Sequence, residues 1–418
     1  MKILYLSQYF PPEMGAPAAR VHEFSRAWAE LGHDVTVLTG FPNHPTGIIP
    51  PEYRGELVRR EVVDGIKVVR APIYAAANKG KVRRALNYFS FGASAASIGP
   101  LLVERPDVLV ATSPQFLAAV AGYWLSKLKR VPWVFEVRDL WPRSIVEVGA
   151  MTADNPVIKG LEQAERFLYR HADHIVAVTH SFVDEIAAHG IDRSRISVVT
   201  NGVDTELFQP RPRDAARKQL GLGEEFLATY IGTHGMAHGL GTVLDAAALL
   251  RDKPVQFLLV GEGAEKANLK ARAQKEGLRN VTFWDQIPRD QVAQVIAATD
   301  LCLVLLRDLP LFRTVIPSKI FEYLGAARPI LTTVDGESRK ILDASRAGIF
   351  SPPENAEALA RNISELAAQP DRLTQMGKLG REFVVAHYSR TALAERYAQI
   401  LAEVAQGRDV PAGVALGL

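Results

Sequence analysis

The sequence predicts an α/β protein built from two doubly wound domains, each a parallel sheet covered by helices. Three observations carry that expectation. Short apolar runs alternate with amphipathic helical patterns along the chain, as β-α-β units require. The series halts at "NGVDTELFQPRPRD", where two prolines and several charges interrupt it, and then begins again. At about 150 residues per domain, 418 residues make two or three domains.

The elements follow in order. "KILYLSQYF" reads as a strand, and in "APAARVHEFSRAWAELGH" the residues Ala18, Val21, Phe24, Trp28 and Leu31 keep helical spacing until a glycine stops them. "DVTVLT", "VLVATS", "PWVFEVRD", "HIVAVT" and "ISVVTN" are further strands. The second series runs "LATYIG", helix "GLGTVLDAAALLRD", strands "VQFLLVGEG" and "VTFWDQ", helix "DQVAQVIAATD" and strand "LCLVLL". We place the first domain at 1–200 and the second at 201–385. A C-terminal helix spans 386–406, and 407–418, ending "DVPAGVALGL", reads as a loose tail.

Composition narrows the function. A net charge of +3 from 49 basic and 46 acidic residues does not point to nucleic acid. The one cysteine, Cys302, lies in an apolar run and reads as a small buried hydrophobe; no internal disulfide or two-cysteine metal site is possible. The opening "MKILYLSQYFPPE" lacks the features of a signal peptide, and no apolar stretch approaches the roughly 20 residues of a membrane span. A cytoplasmic location is expected, at most peripheral at the inner face of the plasma membrane.

The stretch "IPSKIFEYLGAARPILTT" sets Pro317, Ser318, Lys319 and Glu322 at the mouth of a helix whose apolar side is Ile320, Phe321 and Leu324. Ser318 and Glu322 are four apart and Lys319 and Glu322 three apart, so all three share a face. One reading is a solvated lysine–glutamate pair over a core helix. The other is a site for a ligand bearing both phosphate and hydroxyl groups, since a helix start offers unpaired N–H groups to an anion.

In their order, the "AELGHDVTVLT" opening, "HADHIVAVT" followed by "ISVVTNGVDTELFQP", and "SKIFEYLGAARPIL" resemble the group-4 (GT4) retaining glycosyltransferases. "FPNHPTG", "EVRDLWPRS" and "GTHGMAHGL" resemble the branch found in polysaccharide clusters, including N-acetyl-L-fucosamine transferases. The resemblance implies the GT-B architecture: two facing Rossmann-like domains with a cleft between them, the first for the acceptor and the second for a nucleotide-sugar. It implies a UDP-sugar donor, no cofactor and no metal. It also implies a lipid-linked (polyprenyl diphosphate) saccharide acceptor, and a C-terminal helix that returns to the first domain.

Carried residue by residue, the resemblance gives Lys319 and Ser318 to the diphosphate and Glu322 to the ribose. Thr314 stands where the family often has a first glutamate. The glycine-rich turn supplies Gly232, Thr233, His234 and His238; Thr233 and His238 occupy the places of a frequent arginine and lysine. Gly15 would offer its amide to the donor, and Gly261, Gly263 and the backbone around Ile287 would edge the base. Asp139 and Arg138, after a strand, are candidates for acceptor or sugar contact. Lys79, Lys81, Arg83 and Arg84 precede Leu86, Tyr88, Phe89 and Phe91, a basic–aromatic helix suited to an anionic membrane surface. Its alternative is a solvated helix with a buried aromatic side.

Rival activities leave partial traces. A nicotinamide oxidoreductase would share the sheets, but the first strand leads into "SQYFPPEMG" without G-x-G-x-x-G. A sugar-nucleotide epimerase of the same fold, or a catalytically silent sugar-nucleotide-binding subunit, stays open. Thr314 and Thr233, replacing family polar groups, favour the silent subunit.

Overall fold

The computed structural model describes residues 1–13, 15–76, 81–113, 115–147 and 151–416. They form two compact units, Met1–Thr200 with Arg390–Leu418, and Asn201–Ser389.

The first domain is built on eight described strands: β1 (Lys2–Leu6), β2 (Asp34–Gly40), β3 (Arg59–Val63), β4 (Ile66–Ala71), β5 (Val108–Thr112), β6 (Trp133–Val137), β7 (His174–Ala177) and β8 (Ile196–Val198). Their order is β3-β4-β2-β1-β5-β6-β7-β8. All neighbours run parallel except β3 and β4. The central strands are buried on both faces, so they read as mainly apolar runs rather than alternating ones, with the buried Glu136 as the exception in β6.

The β3–β4 hairpin went unnamed in the sequence reading although its signal is present. Asp64 and Gly65 both have positive φ, 49° and 80°, the geometry of a two-residue hairpin turn. Charged Arg59, Arg60 and Glu61 then guard the sheet edge.

The second domain carries β9 (Phe226–Ile231), β10 (Val255–Val260), β11 (Val281–Trp284), β12 (Leu301–Val304), β13 (Ile330–Thr332) and β14 (Gly348–Phe350). They are ordered β11-β10-β9-β12-β13-β14 and all parallel. Cys302 is buried within β12, where burial pushes its thiol pKa up. In both sheets the order reverses beside the first strand, which is where open α/β sheets place ligands, at the carboxyl ends of the strands.

The C-terminal segment differs from the sequence reading in two respects. Position 386 falls inside the helix Pro370–Tyr388, and the break comes at Ser389, whose φ and ψ are extended. The next helix, Arg390–Ala405, belongs to the first domain, where Leu393, Tyr397, Ile400 and Leu401 join Trp28 and Phe24 in one core. Residues 407–418 are not a loose tail throughout. Val410 and Ala415 are buried in that same core, because the short helix Ala412–Leu416 lies beside β8.

Among the described residues, no helix is long and apolar enough to cross a membrane.

Candidate active site

The second domain assembles its candidate residues at the carboxyl ends of β9 and β10. Beyond the sheet, the two following turns continue to pair through their backbones. Gly232 N–H donates to Val260, His234 N–H to Glu262, and Glu265 N–H back to His234, at 2.8 to 2.9 Å. Such close approach requires glycine. Gly232 and Gly261 have φ of 149° and 142°, and a Cβ on Gly261 would overlap the Gly232 carbonyl. Gly263 faces the His234 carbonyl in the same way.

Lys319 begins the helix Lys319–Gly325, which leans on the end of β9 through a Tyr323 hydroxyl that accepts from the Ile231 N–H at 3.3 Å. Its ammonium is aimed at the first turn: a Cβ built on Gly232 would lie 2.5 Å from Nζ. It rests over the Tyr230 ring, 3.9 Å from the centroid. Among the described residues it has no hydrogen bond or ion pair. Burial therefore pulls the Lys319 pKa down to about 7, with only Glu322 opposing.

Tyr230 is the centre of this site, and the sequence reading missed it because "LATYIG" looks like a plain core strand. The rings of His234 and His238 both lie 6.0 Å from its ring. His234 is fully buried and neither ring nitrogen makes a hydrogen bond of normal geometry; His238 Nδ1 is also buried without one. Desolvation first, then the charges of Lys266 and Lys319 on His234 and of Lys319 on His238, bring both histidines down to about 4, so both are neutral at pH 7. The site thus holds one lysine, half protonated near pH 7, and two neutral imidazoles, each able to donate a hydrogen bond.

Ser318 caps the helix without a side-chain hydrogen bond, leaving its hydroxyl beside Lys319. Glu322 is paired with Arg289, at 3.4 Å. The intrahelical Lys319–Glu322 pair of the alternative reading is therefore not what forms. Thr233 is exposed, and its carbonyl accepts from the Tyr230 hydroxyl at 2.9 Å. Thr314 donates its hydroxyl to Leu311 at 2.7 Å, so it is spent within its own turn.

The turns near the expected base site are clamped by Lys266, also unanticipated. Its Nζ, nearly buried, contacts Glu262 and Asp285 at 2.6 Å each and the Trp284 carbonyl at 3.1 Å. The i to i+4 spacing of Glu262 and Lys266 in "GEGAEK" was the available signal. Ile287 and Trp284 pack partly buried against Leu258 and Val260.

In the first domain, Gly15 caps the helix Ala16–Glu30 with φ 133° and is exposed. Arg138 takes a structural position. Its guanidinium donates to the carbonyls of Ala16 at 3.1 Å and Pro17 at 3.3 Å, so it braces the first turn of the helix that follows Gly15. Beneath it, Glu136 is wholly buried and accepts from Arg20 and from the Tyr5 hydroxyl. Asp139 has no hydrogen-bond donor for its carboxylate among the described residues; burial raises its pKa to about 6 against the pull of Arg138.

Arg83 and Arg84 are exposed on the helix Lys81–Ser97. Lys79 lies outside the described residues, as does the side chain of Lys81.

Two doubly wound domains, one presenting a lysine and paired glycine turns at the carboxyl end of its sheet, define the class of GT-B sugar-transfer enzymes. Comparison with known proteins agrees. Residues 15–202 match the family model for the glycosyl transferase 4-like domain, and residues 212–383 that for glycosyl transferases group 1. The putative colanic acid biosynthesis glycosyl transferase WcaI of Escherichia coli is 27% identical over 387 residues, covering 90% of this chain and 94% of its own. Sucrose-phosphate synthase from Thermosynechococcus elongatus superposes with a TM-score of 0.75 at 21% identity, over 96% of this chain and 98% of that one. Anabaena HepE, solved with UDP-glucose, gives 0.72 at 17% identity over 96% and 100%. The chain belongs to the GT4 family of glycosyltransferases and has the GT-B fold.

Proposed function

We propose that this glycosyltransferase moves a sugar from a UDP-N-acetyl sugar to a lipid-linked saccharide, with retention and without a metal, in the synthesis of a cell-surface polysaccharide. The observation that carries the donor reading is Lys319. A desolvated ammonium with no ion pair among the described residues, set against two glycine turns, is arranged for a diphosphate. The neutral His234 and His238 add N–H donors, and the Ser318 hydroxyl a further one. Glu322 is the group of this helix suited to two adjacent ribose hydroxyls, with Arg289 holding it in place until they arrive. Support for UDP comes from HepE, and for polysaccharide synthesis from the name of WcaI.

Catalysis in this reading is orientation and charge stabilisation. As the bond from the anomeric carbon to the β-phosphate oxygen breaks, negative charge grows on that phosphate beside Lys319. The leaving phosphate takes the proton of the acceptor hydroxyl, which attacks the same face of the sugar, and retention follows without a covalent enzyme intermediate. Asp139, whose carboxylate has no hydrogen-bond donor among the described residues, orients the acceptor or the sugar, and Arg138 positions Gly15. The acceptor arrives at an anionic membrane surface served by the basic segment 79–84.

The test is thermal unfolding with UDP, GDP and ADP, each with and without EDTA, followed by turnover of UDP-N-acetyl sugars. A UDP-selective shift that survives EDTA, lost in Lys319→Ala with at least a roughly tenfold fall in affinity, supports the reading. Unchanged UDP binding by Lys319→Ala would overturn the site. Binding with neither transfer nor donor hydrolysis would leave a nucleotide-sugar-binding protein.

A further inference from the structure

Two lysines stand near the strand ends of the second domain, and they differ in what they hold. Lys319 has no hydrogen bond or ion pair among the described residues, whereas Lys266 is saturated. An ammonium has three N–H groups. Those of Lys266 meet a Glu262 oxygen and an Asp285 oxygen at 2.6 Å and the Trp284 carbonyl at 3.1 Å. A nearly buried ammonium with no donor left over does not serve a ligand directly. It acts through what it ties together.

Its three acceptors come from two turns. Glu262 follows β10, while Trp284 ends β11 and Asp285 begins the segment beyond it. The Trp284 carbonyl also accepts from the Gly261 N–H at 3.2 Å, so both of its lone pairs are used. The β10 turn is itself joined to the β9 turn, since His234 N–H donates to the Glu262 carbonyl at 2.8 Å.

The segment that leaves this clamp is 285–288. Ile287 packs inward beside Trp284, while Asp285 and Gln286 are exposed. Among the described residues, the backbone N–H and carbonyl groups of Asp285, Gln286 and Ile287 make no hydrogen bond. At the far end, Pro288 caps the helix Arg289–Ala298, whose first residue pairs with Glu322 at 3.4 Å. The segment therefore runs between two fixed points, Lys266 and the Arg289–Glu322 pair, with free backbone groups in between.

We propose that Lys266 is a positioning residue for nucleobase selection: by fixing the start of 285–288, it holds that backbone where it reads a uracil edge and excludes a purine. The inference rests on the donor reading, which sets the ribose at Glu322 and the base at the backbone around Ile287. Uracil presents one N–H between two carbonyls, and a free backbone carbonyl and N–H match it without a side chain. Readout of this kind discriminates only as far as the segment is held in place. Without Lys266, two carboxylates that share one ammonium are left to repel each other, and the Trp284 carbonyl loses a donor. The start of the segment then moves outward and the larger base is admitted.

Calorimetry on the full chain with UDP, ADP and inorganic pyrophosphate tests this. In Lys266→Met the preference for UDP over ADP should fall at least about fivefold, while pyrophosphate, which reports Lys319 and the glycine turns, binds within about twofold of wild type. Asp285→Ala removes one limb of the clamp from an exposed position and gives the same reading where Lys266→Met does not fold. Its preference should fall at least about twofold. An unchanged ratio of UDP to ADP affinity in the variants overturns the inference and leaves the donor site standing. An equal loss of UDP, ADP and pyrophosphate also overturns it, because a scaffold for all the turns would lose every ligand alike. Wild-type protein that binds UDP no better than ADP overturns the UDP reading, and the role of Lys266 with it.

Discussion

At the scale of single residues, the proposed donor site carries titratable groups in Lys319, His234 and His238. Lys319, at about 7, is half protonated near neutral pH in the free protein. A bound diphosphate restores the charged form and raises that pKa, so binding above pH 7 takes up a proton and weakens as pH rises. A UDP-N-acetyl sugar is the ligand of choice, since its diphosphate has no proton to lose in this range. Its affinity should fall roughly twentyfold from pH 6.5 to 8.5, with buffer-dependent proton uptake in calorimetry. The stability of the free protein runs the other way. The folded pKa lies below the unfolded one, the unfolded chain holds the extra proton between pH 7 and 10.5, and stability from this group rises with pH. A flat affinity profile would remove Lys319 from the phosphate. This residue was legible in the sequence because a lysine between a serine and a glutamate on one helix face is unusual above a core. Tyr230 was not, because an aromatic inside an apolar strand reads as packing until Lys319 is seen resting on its face.

At the scale of elements, the two glycine turns do work that no side chain reports. They are legible as glycines after strands, but the overlap between them is not, since it depends on how far β9 and β10 extend before turning. Gly261→Ala should cost about 1–3 kcal/mol and weaken UDP binding at least about tenfold, because the added methyl forces the Gly232 carbonyl aside and a residue other than glycine is strained at φ 142°. Gly277→Ala is the comparison. Its φ is also positive, at 66°, but nothing lies within 4 Å of the new methyl, so urea denaturation should show strain alone and calorimetry unchanged binding. If the two variants bind UDP equally, the close approach of the turns has no role in the site. The short strands explain what else escaped notice. β13 and β14 have three residues each, too few for any period to emerge, and they take their place from neighbours already in register. The β3–β4 hairpin was a different omission: Asp64-Gly65 announced it, but between charged, alternating segments it did not resemble the buried strands around it.

At the scale of the whole molecule, the chain leaves the first domain after Thr200 and re-enters it at Arg390, so the last 29 residues complete a core begun by the first 30. The order of strands along the sequence suggested two domains; the return of the C-terminal helix was expected from the resemblance alone, because a C-terminal amphipathic helix fits any apolar face. The contacts decide it. Trp28 donates its indole N–H to the Ala394 carbonyl at 3.0 Å, and Tyr397 meets Trp28 and Phe24 edge-on at 5.1 and 5.5 Å. Arg390 forms an ion pair with Glu23 on the same helix as Trp28. Stability of the first domain should therefore depend on the far end of the chain. Leu401 is fully buried in this core, and truncating it leaves a cavity that its neighbours fill only in part. Leu401→Ala should cost about 2–5 kcal/mol in urea unfolding followed by tryptophan emission, while UDP affinity, which the proposed function assigns to residues 230–322, stays within about twofold. A loss below about 1 kcal/mol would mean that the helix Arg390–Ala405 covers the first domain without completing its core.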